Sequence, residues 1–374
     1  MEVTTSLGGS ARHPPRLPKP RPEMAQFQPY RTAQQLKADV RINANEWPEP
    51  NRAARYLTPD VVEGVLLNRY PGRGDELREI LAARWRTQPD RLILGNGSNE
   101  LLLQVFLVFG GHGRKTLLFH PTYSMHGRLT QLAGGSVVEE MIGLPYEVTR
   151  ERALGALDRI RPEIVVFTSP NNPTGNTIDD AVILTAAERH PETLVLVDEA
   201  YSDFAGTSLV SRMDEFPNLI VSKTFSKVLA AAGLRVGSLI VHPELMGYFT
   251  AAALPYNVST LTLAVAARVA KDDAAIAHRL ELAAKERARV LAALRRVQDI
   301  EVFPSVTNFI LFRLRDGKPA DIHAKLLEQG VLIRDISVWP GCEGCLRASL
   351  GIPEENDRFI AALDTVFAAA AGRR

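Results

Sequence analysis

Short apolar runs alternate with helical segments along the chain from residue 91 to residue 242. Each run is short enough for a buried strand, and the segments between the runs are helical in pattern. The predicted strands are residues 92–95, 115–120, 136–141, 164–168, 194–197, 218–221 and 236–242. This alternation predicts an α/β fold with a largely parallel central sheet and helices on both faces. In such a sheet, ligands bind beyond the carboxyl ends of the strands.

The chain becomes strongly helical after residue 242, and a second group of strands follows. Residues 263–271 and 274–297 predict helices, the second of them long enough to bridge two domains. The runs FILFRL, VLIRD and CLRASLG, with a terminal helix, predict a smaller C-terminal α/β domain. The predicted organisation is a disordered, basic, proline-rich tail at 1–28, a segment at 29–65 that packs with the small domain, a large domain at 66–262, and an interdomain helix with the small domain at 263–374.

Composition and charge narrow the range of partners. The 374 residues carry a formal net charge of +1 with acidic and basic residues interleaved, which gives no reason to expect nucleic acid or a membrane surface as a partner. No apolar run reaches the length of a membrane span, so we expect a cytoplasmic protein.

The two cysteines of the chain lie close together. Cys342 and Cys345 form a C-x-x-C without a second cysteine pair or a nearby histidine. We therefore expect two inert thiols and no metal site.

The stretch NLIVSKTFSKVLAAAGLRVG, residues 218–237, holds the clearest chemistry of the chain. Lys227 follows the hydroxyls of Thr224 and Ser226, and Arg235 comes eight residues later. An amine beside hydroxyls and a guanidinium suits an aldehyde that carries a phosphate, because the amine forms a Schiff base and the other groups bind phosphate oxygens. The alternative is a solvated lysine on a loop, which is the usual environment of lysine.

Polar and aromatic groups also follow other predicted strands. They are Gly97, Ser98 and Asn99 at the start of a helix, then Tyr123, Asn172, Asp198 and Tyr201. A helix start is a ready anion site. Asp198 ends an apolar strand, where a carboxylate is unfavourable without a cation, and a pyridinium ring would supply one. Taken singly, Asp198 could instead be a helix cap, Asn172 a turn residue, and either tyrosine part of the core.

Together, these groups match the needs of one cofactor. A pyridoxal phosphate enzyme requires a lysine for the aldehyde, a carboxylate that keeps the ring nitrogen protonated, a donor for the ring hydroxyl, and a cup for the phosphate. We therefore expect pyridoxal 5'-phosphate as the cofactor.

The motifs SPNNPTG, VDEAY and SKTFSK with LAAAGLRVG resemble the signatures of the fold-type-I pyridoxal phosphate aminotransferases. The motifs RYP, GNGSNELL, PTYSMH, VLIRD and CLRASLG narrow the resemblance to the histidinol-phosphate aminotransferases, from about residue 42 to the end of the chain.

The resemblance implies a role for each matching position. Lys227 would form the Schiff base, Asp198 would pair with the ring nitrogen, Asn172 and Tyr201 would contact the ring hydroxyl, and Tyr123 would stack on the ring. Gly97, Ser98, Asn99, Thr224, Ser226 and Arg235 would form the phosphate cup, with Tyr70 reaching over from the second subunit of a homodimer. Arg347 would bind the carboxylate of glutamate, Arg334 the phosphate of the substrate, and Asn45 would lie on the substrate side. The implied reaction is transamination of histidinol phosphate with 2-oxoglutarate, which gives imidazole acetol phosphate and glutamate.

Three departures from the pattern of that family stand out. Lys223 occupies a position where the family usually has arginine, and Val228 with Leu229 replaces a small residue and a phenylalanine. Trp47 interrupts the loop at 42–51, which should border the substrate, so this residue affects which substrate the site accepts.

The alternative functions on the same fold are an aromatic amino acid aminotransferase and a phospho-amino-acid decarboxylase. A cofactor-binding regulatory domain without turnover is a further alternative, although the chain has no helix-turn-helix region to address DNA.

Overall fold

The computed structural model describes residue 24, residues 27–30, residue 33 and residues 36–371. The tail predicted at 1–28 falls almost entirely outside the described residues. Residues 33–374 form one compact unit, and the first 32 residues are assigned to another. All that follows concerns the unit that begins at residue 33.

Helices and strands alternate through most of this unit. The helices are α1 (Pro59–Gly64), α2 (Asp75–Trp85), α3 (Ser98–Phe109), α4 (Ser124–Leu132), α5 (Arg150–Ile160), α6 (Asp180–Arg189), α7 (Ser202–Ala205), α8 (Pro243–Ala252), α9 (Thr260–Lys271), α10 (Asp273–Leu294), α11 (Pro319–Glu328) and α12 (Pro353–Ala371). The strands are β1 (Val40–Arg41), β2 (Leu92–Gly95), β3 (Lys115–His120), β4 (Ser136–Met141), β5 (Ile164–Thr168), β6 (Leu194–Asp198), β7 (Leu219–Thr224), β8 (Gly237–Ile240), β9 (Ile300–Val302), β10 (Phe309–Leu314), β11 (Val331–Leu332), β12 (Arg334–Asp335) and β13 (Cys345–Ser349). Short 3-10 turns lie at Ala53–Arg55, Pro89–Arg91, Val210–Arg212 and Ala232–Leu234.

The central sheet has seven strands in the order β2-β8-β7-β6-β5-β3-β4. Neighbouring strands are parallel except at β8, which runs antiparallel to both β2 and β7. Strands β5, β6 and β7 are buried along their whole length, which explains why each begins with an uninterrupted apolar run rather than an alternating pattern. The predicted largely parallel sheet is confirmed.

Strand β7 is longer than the sequence predicts. The apolar run ends at Val221, but the strand continues through Thr224, and Lys223 is buried inside it. The strand continues because Lys223 pairs in register with Ser238 and Thr224 with Gly237 of β8. The predicted strand at 218–221 therefore ends three residues too early.

The C-terminal part of the unit builds a second, antiparallel sheet in the order β12-β13-β10-β9. Near it, β1 pairs in parallel with β11, so Val40 and Ile42 join the apolar cluster that also contains Phe312 and Phe359. The long helix α10 contributes Ala283 to the same cluster. Residues near 40 and residues beyond 283 thus share one core.

Helices α9 and α10 begin at polar residues that cap them. The Ser259 hydroxyl accepts a hydrogen bond from the Thr262 amide at 3.1 Å, and the Asp272 carboxylate accepts one from Ala275 at 3.2 Å. Such caps satisfy amide groups that have no partner in the first turn of a helix. In the described part of the chain, every helix is too short or too polar to span a membrane. The cytoplasmic location stays a prediction.

Candidate active site

Lys227 lies in the turn that follows β7, at the carboxyl edge of the central sheet. Its Nζ donates to the backbone oxygen of Asn45 at 3.1 Å and lies 3.4 Å from that of Ala44. The same nitrogen lies 5.4 Å from the centre of the Tyr201 ring. The amine therefore has neutral oxygen acceptors and an aromatic face around it, and none of these contacts is with a carboxylate.

Asn45 connects the amine to two other elements. Its backbone has φ 54°, a left-handed conformation that few residues other than glycine adopt. The side chain of Asn45 donates to the Tyr201 hydroxyl at 2.9 Å and accepts from the Ser349 hydroxyl at 3.0 Å. Strained backbone held by buried hydrogen bonds is common at functional sites. These contacts bring residues about 150 and 300 positions apart in the chain into one cluster.

Asp198 ends β6 with 4% of its surface exposed. One carboxylate oxygen accepts from the Ala200 amide at 3.1 Å, and the other lies 3.0 Å from Nε2 of His126 in α4. Each oxygen has two lone pairs, so the carboxylate retains acceptor capacity for a further donor. The buried charge is thus partly satisfied by the protein.

The predicted phosphate cup lies at the start of α3, next to β8 and the turn before it. Gly97 has φ 85°, and a Cβ at this position would collide with the guanidinium of Arg235. A Cβ on Gly237 would collide with the backbone nitrogen of Ser98. Backbone amides and a guanidinium thus approach one another closely, which is the arrangement that binds an anion at a helix N-terminus. Arg235 itself has φ 54°.

Four further predicted cup and ring residues form two contacting pairs. The Thr224 hydroxyl lies 3.1 Å from that of Ser226 and also accepts from the Ser226 amide at 3.2 Å. The Tyr123 hydroxyl lies 3.5 Å from Oδ1 of Asn99 in the first turn of α3. The cup therefore combines two hydroxyls, a helix start and one guanidinium.

Two arginines face the same side of the C-terminal sheet. Arg334 in β12 and Arg347 in β13 are paired residues in antiparallel register, so their side chains share a face. Arg347 is 5% exposed and donates from Nη1 to Oδ1 of Asn172 at 2.5 Å and from Nη2 to the backbone oxygen of Asn43 at 3.3 Å. Arg334 is only half-buried. The structure thus joins Asn172, in the loop after β5, to Arg347 of the C-terminal sheet.

Tyr70 stands apart from the predicted cup. The residue is 79% exposed, and its ring stacks on that of Tyr256 with a centroid distance of 4.4 Å and an interplanar angle of 13°. Among the described residues, its ring contact is thus with another exposed tyrosine rather than with the groups around Arg235. A role for Tyr70 in the cup of its own chain has no support in these contacts.

Two residues of the candidate site, His126 and Ser349, were not predicted from the sequence. His126 lies three residues after Tyr123 in PTYSMH, so helical spacing was a usable signal for its position near the site. Ser349 lies two residues after Arg347, which places both side chains on one face of β13. Their partners, Asp198 and Asn45, lie far away in sequence, and no local pattern indicates those pairings.

The arrangement combines the groups needed for amino-group chemistry. Lys227 lies at the strand edge, and the buried Asp198, the predicted phosphate cup and the paired Arg334 and Arg347 lie on other elements. The profile of the family described as "Aminotransferase class I and II" matches residues 39–363. The chain belongs to this family, and it is an aminotransferase.

Curated relatives of the chain have a more particular name. A histidinol-phosphate aminotransferase from Corynebacterium efficiens is 39% identical over 352 residues, covering 88% of this chain and 90% of that protein. The protein of the same name from Caldanaerobacter subterraneus subsp. tengcongensis is 34% identical over 326 residues, covering 86% and 92%. The crystal structure of histidinol-phosphate aminotransferase from Sinorhizobium meliloti in complex with pyridoxal-5'-phosphate is 22% identical with a TM-score of 0.81, covering 98% of this chain and 100% of that one. This likeness concerns the fold, and the predicted fold-type-I architecture is confirmed.

Proposed function

We propose that the chain transfers the amino group of L-histidinol phosphate to 2-oxoglutarate, giving imidazole acetol phosphate and L-glutamate. The observation that carries the proposal is the register of β12 and β13, which places Arg334 and Arg347 opposite each other. Two guanidinium groups on one face suit substrates that carry phosphate or carboxylate groups. The names of the relatives at 34% and 39% identity support the same substrate.

The proposed cofactor is pyridoxal 5'-phosphate, and the residues present fit it. Gly97 and Gly237 leave no room for a side chain beside Arg235 and Ser98, so backbone amides and the guanidinium are available to phosphate oxygens. Asp198 is buried and retains lone pairs for a protonated ring nitrogen. When bound, the cofactor supplies an electron sink for the carbon that carries the amino group.

The side chains around the cofactor have separate tasks in this proposal. Lys227 holds the cofactor aldehyde through Nζ and, when that nitrogen is free, removes the proton from the substrate carbon that bears the amino group. Asp198 keeps the ring nitrogen protonated because its charge is buried and fixed by His126. Asn172 and Tyr201 contact the ring hydroxyl, while Tyr123 stacks on the ring.

The two arginines differ in burial, and that difference suggests how two substrates share one site. Arg347 is held by Asn172 and by the backbone of Asn43, which fixes a guanidinium deep in the site for the carboxylate of glutamate. Histidinol phosphate has no carboxylate, so a second cation must recognise its phosphate. In this proposal the half-buried Arg334 binds that phosphate, and Asn45, whose backbone oxygen accepts from Lys227, contacts the substrate.

We also propose that the active form is a homodimer. An apolar surface surrounds Tyr70 and includes Leu66, Leu67, Leu254 and Tyr256, of which Leu67 is 89% exposed. Beside it lies a groove of about 880 Å³ that Pro71 and Tyr256 help to line. Monomeric proteins seldom expose clustered apolar side chains, so a second copy is the proposed cover. In the dimer, Tyr70 of one subunit would contact the cofactor phosphate of the other.

A half-reaction tests the substrate. The cofactor-loaded protein is mixed with histidinol phosphate, phenylalanine or phosphothreonine, and the loss of the visible cofactor band is followed together with the product. We expect histidinol phosphate to react with the highest kcat/KM and the oxo acid to restore the band. A higher kcat/KM for phenylalanine would favour an aromatic aminotransferase. Release of carbon dioxide without consumption of an oxo acid would favour a decarboxylase.

The variant Arg334→Leu tests the phosphate contact. Loss of a charge-assisted pair costs about 2–3 kcal/mol, or about thirty- to a hundredfold in kcat/KM, and the loss should fall on the phosphorylated amine alone. The matched control is Arg315→Leu, since within the described residues the side chain of that exposed arginine donates only to the backbone oxygen of Gln298. Equal losses with phosphorylated and unphosphorylated amines would remove Arg334 from phosphate recognition.

Subunit mixing tests the shared site. Tyr70→Phe and Lys227→Ala each disable a site, but a mixed dimer contains one site with both native residues if Tyr70 acts across the interface. Coexpression of the two variants should therefore restore activity that neither variant has alone. If the mixture is no more active than its parents, or if the active protein sediments as a monomer, the shared site is wrong.

A further inference from the structure

A row of buried polar side chains crosses the central sheet at the carboxyl ends of neighbouring strands. His120 ends β3, Thr168 ends β5 and Asp198 ends β6, in that strand order. In each strand, the residue two positions earlier belongs to the apolar cluster beneath α3 and α4. Side chains two positions apart share a face, so all three point towards α4. His126 contacts Asp198 from that helix.

Three imidazole nitrogens in this row lack a hydrogen bond from the described protein. They are Nδ1 and Nε2 of His120 and Nδ1 of His126. The His126 side chain is fully buried, and that of His120 is 9% exposed. Buried polar atoms almost always have a partner, because an unsatisfied one retains its full cost of desolvation. Three such nitrogens in one place therefore indicate a built polar site rather than an accident of packing.

The surface end of the row is Glu139 in β4. Its carboxylate is half-exposed and lies 3.6 Å from Nε2 of His120, which is just beyond hydrogen-bonding distance. Burial lowers the pKa of His120, Glu139 acts to raise it, and His126 acts to lower it further. His120 and Thr168 end neighbouring strands, and His126 reaches the same edge of the sheet through its contact with Asp198 on the next strand. The hydroxyls of Thr122 and Thr168, 2.9 Å apart, add a further donor close to the strand ends.

We propose that His120 and His126 bind one ordered water molecule between their Nδ1 atoms, and that His120 is thereby a positioning residue for Asp198. The water donates one hydrogen to each Nδ1, which leaves the proton of each neutral ring on Nε2. His126 then donates from Nε2 to Asp198, and the Nε2 proton of His120 faces the Glu139 carboxylate. A buried water needs two to four polar partners, and this site supplies them. The expected effect on catalysis rests on the proposed role of Asp198 beside the ring nitrogen of the cofactor. The expected tautomers of His120 and His126 do not depend on that role.

The test is NMR of the full-length protein labelled with 15N-histidine, in which long-range 1H–15N correlations report the tautomer of each ring. His126→Gln identifies the His126 signals. We expect His126 to carry its proton on Nε2 in the native protein and to become a mixture of tautomers in His120→Leu. His120→Asn places an oxygen near the position of Nδ1 and should restore the single tautomer. The exposed His112→Leu is the matched control and should change nothing at His126.

The same variants are then assayed. Loss of one supporting hydrogen bond predicts a fall in kcat of about tenfold for His120→Leu with KM nearly unchanged, and recovery in His120→Asn. An unchanged His126 tautomer in His120→Leu, or a mixture of tautomers in the native protein, overturns the proposal.

A second pair of variants covers the case in which His120→Leu does not fold. Glu139→Gln must then perturb the His120 ring signals, whereas its neighbour Glu140→Gln is the control. No perturbation by Glu139→Gln also overturns the proposal. Failure of the proposed transamination would leave the NMR result intact, so the two failures are distinguishable.

Discussion

The buried ion pair between Lys223 and Glu199 should separate a structural lysine from the proposed catalytic one. Nζ of Lys223 lies 2.7 Å from Oε2 of Glu199 and donates to the Ser202 hydroxyl at 2.9 Å. The two side chains are 4% and 3% exposed. Glu199 also accepts from the Ser208 hydroxyl at 2.6 Å and from the Leu209 amide at 2.7 Å. Both charges are thus fully desolvated and mutually satisfied.

Lys223→Met removes the ammonium group and leaves the Glu199 carboxylate buried with neutral donors only. Breaking a buried pair in this way costs about 3–5 kcal/mol, because an uncompensated charge stays in the interior. Methionine retains most of the aliphatic length, so loss of packing contributes little. The matched control is Lys271→Met, whose partner Glu76 lies 3.0 Å away with both side chains more than half-exposed. That surface pair should contribute no more than about 1 kcal/mol.

Urea unfolding followed by tryptophan fluorescence measures both costs, and the visible cofactor band reports the site. We expect Lys223→Met to unfold at a much lower urea concentration while keeping the band under native conditions. In Lys223→Met/Glu199→Gln, the second substitution should recover part of the loss, since no charge remains buried. The reasoning is refuted if Lys223→Met costs no more than Lys271→Met, or if the folded variant has lost the band.

Three further outcomes are expected. Lys227→Ala should abolish both transamination and the visible band without a large change in urea midpoint; a persistent band would move the amine assignment elsewhere. Asp198→Asn should keep the fold but lose most of kcat, because a neutral amide does not hold the ring proton, and near-normal turnover in a steady-state assay would contradict that role. Burial raises the pKa of the Cys342 and Cys345 thiols, so the reactive thiolate is disfavoured at pH 8. Ellman's reagent should therefore label neither cysteine in the native protein and both in urea, and rapid labelling of the native protein would show that the thiols are accessible.

The local pattern of the sequence was sufficient to predict the strands and most helices of the large sheet. Runs such as 194–197 are apolar because both faces of the strand are covered, and the residues after them change character because the strand ends there. The parallel strands then bring Asp198, Asn172 and the turn with Lys227 to one edge. Local pattern plus one rule about parallel sheets therefore predicted the location of the candidate site.

The partner of each site residue depended on tertiary structure. The left-handed Asn45 connects Lys227, Tyr201 and Ser349, which come from three distant parts of the chain. The direction of β8 had no signature in its sequence, since a buried strand is apolar whichever way it runs. Similarly, His126 reaches Asp198 only because α4 packs over that face of the sheet.

The two lysines near the end of β7 show what local sequence pattern predicts and what depends on tertiary contacts. The sequence by itself determined that a lysine, two hydroxyls and an arginine follow an apolar strand, because hydrophobic periodicity and residue chemistry are local properties. Only the tertiary structure decided that Lys223 is inside the strand in an ion pair with Glu199, whereas Lys227 lies beyond it against the backbone of Asn45. Those environments are created by strand pairing and by a loop about 180 residues earlier, and such long-range contacts leave no periodic trace in the sequence.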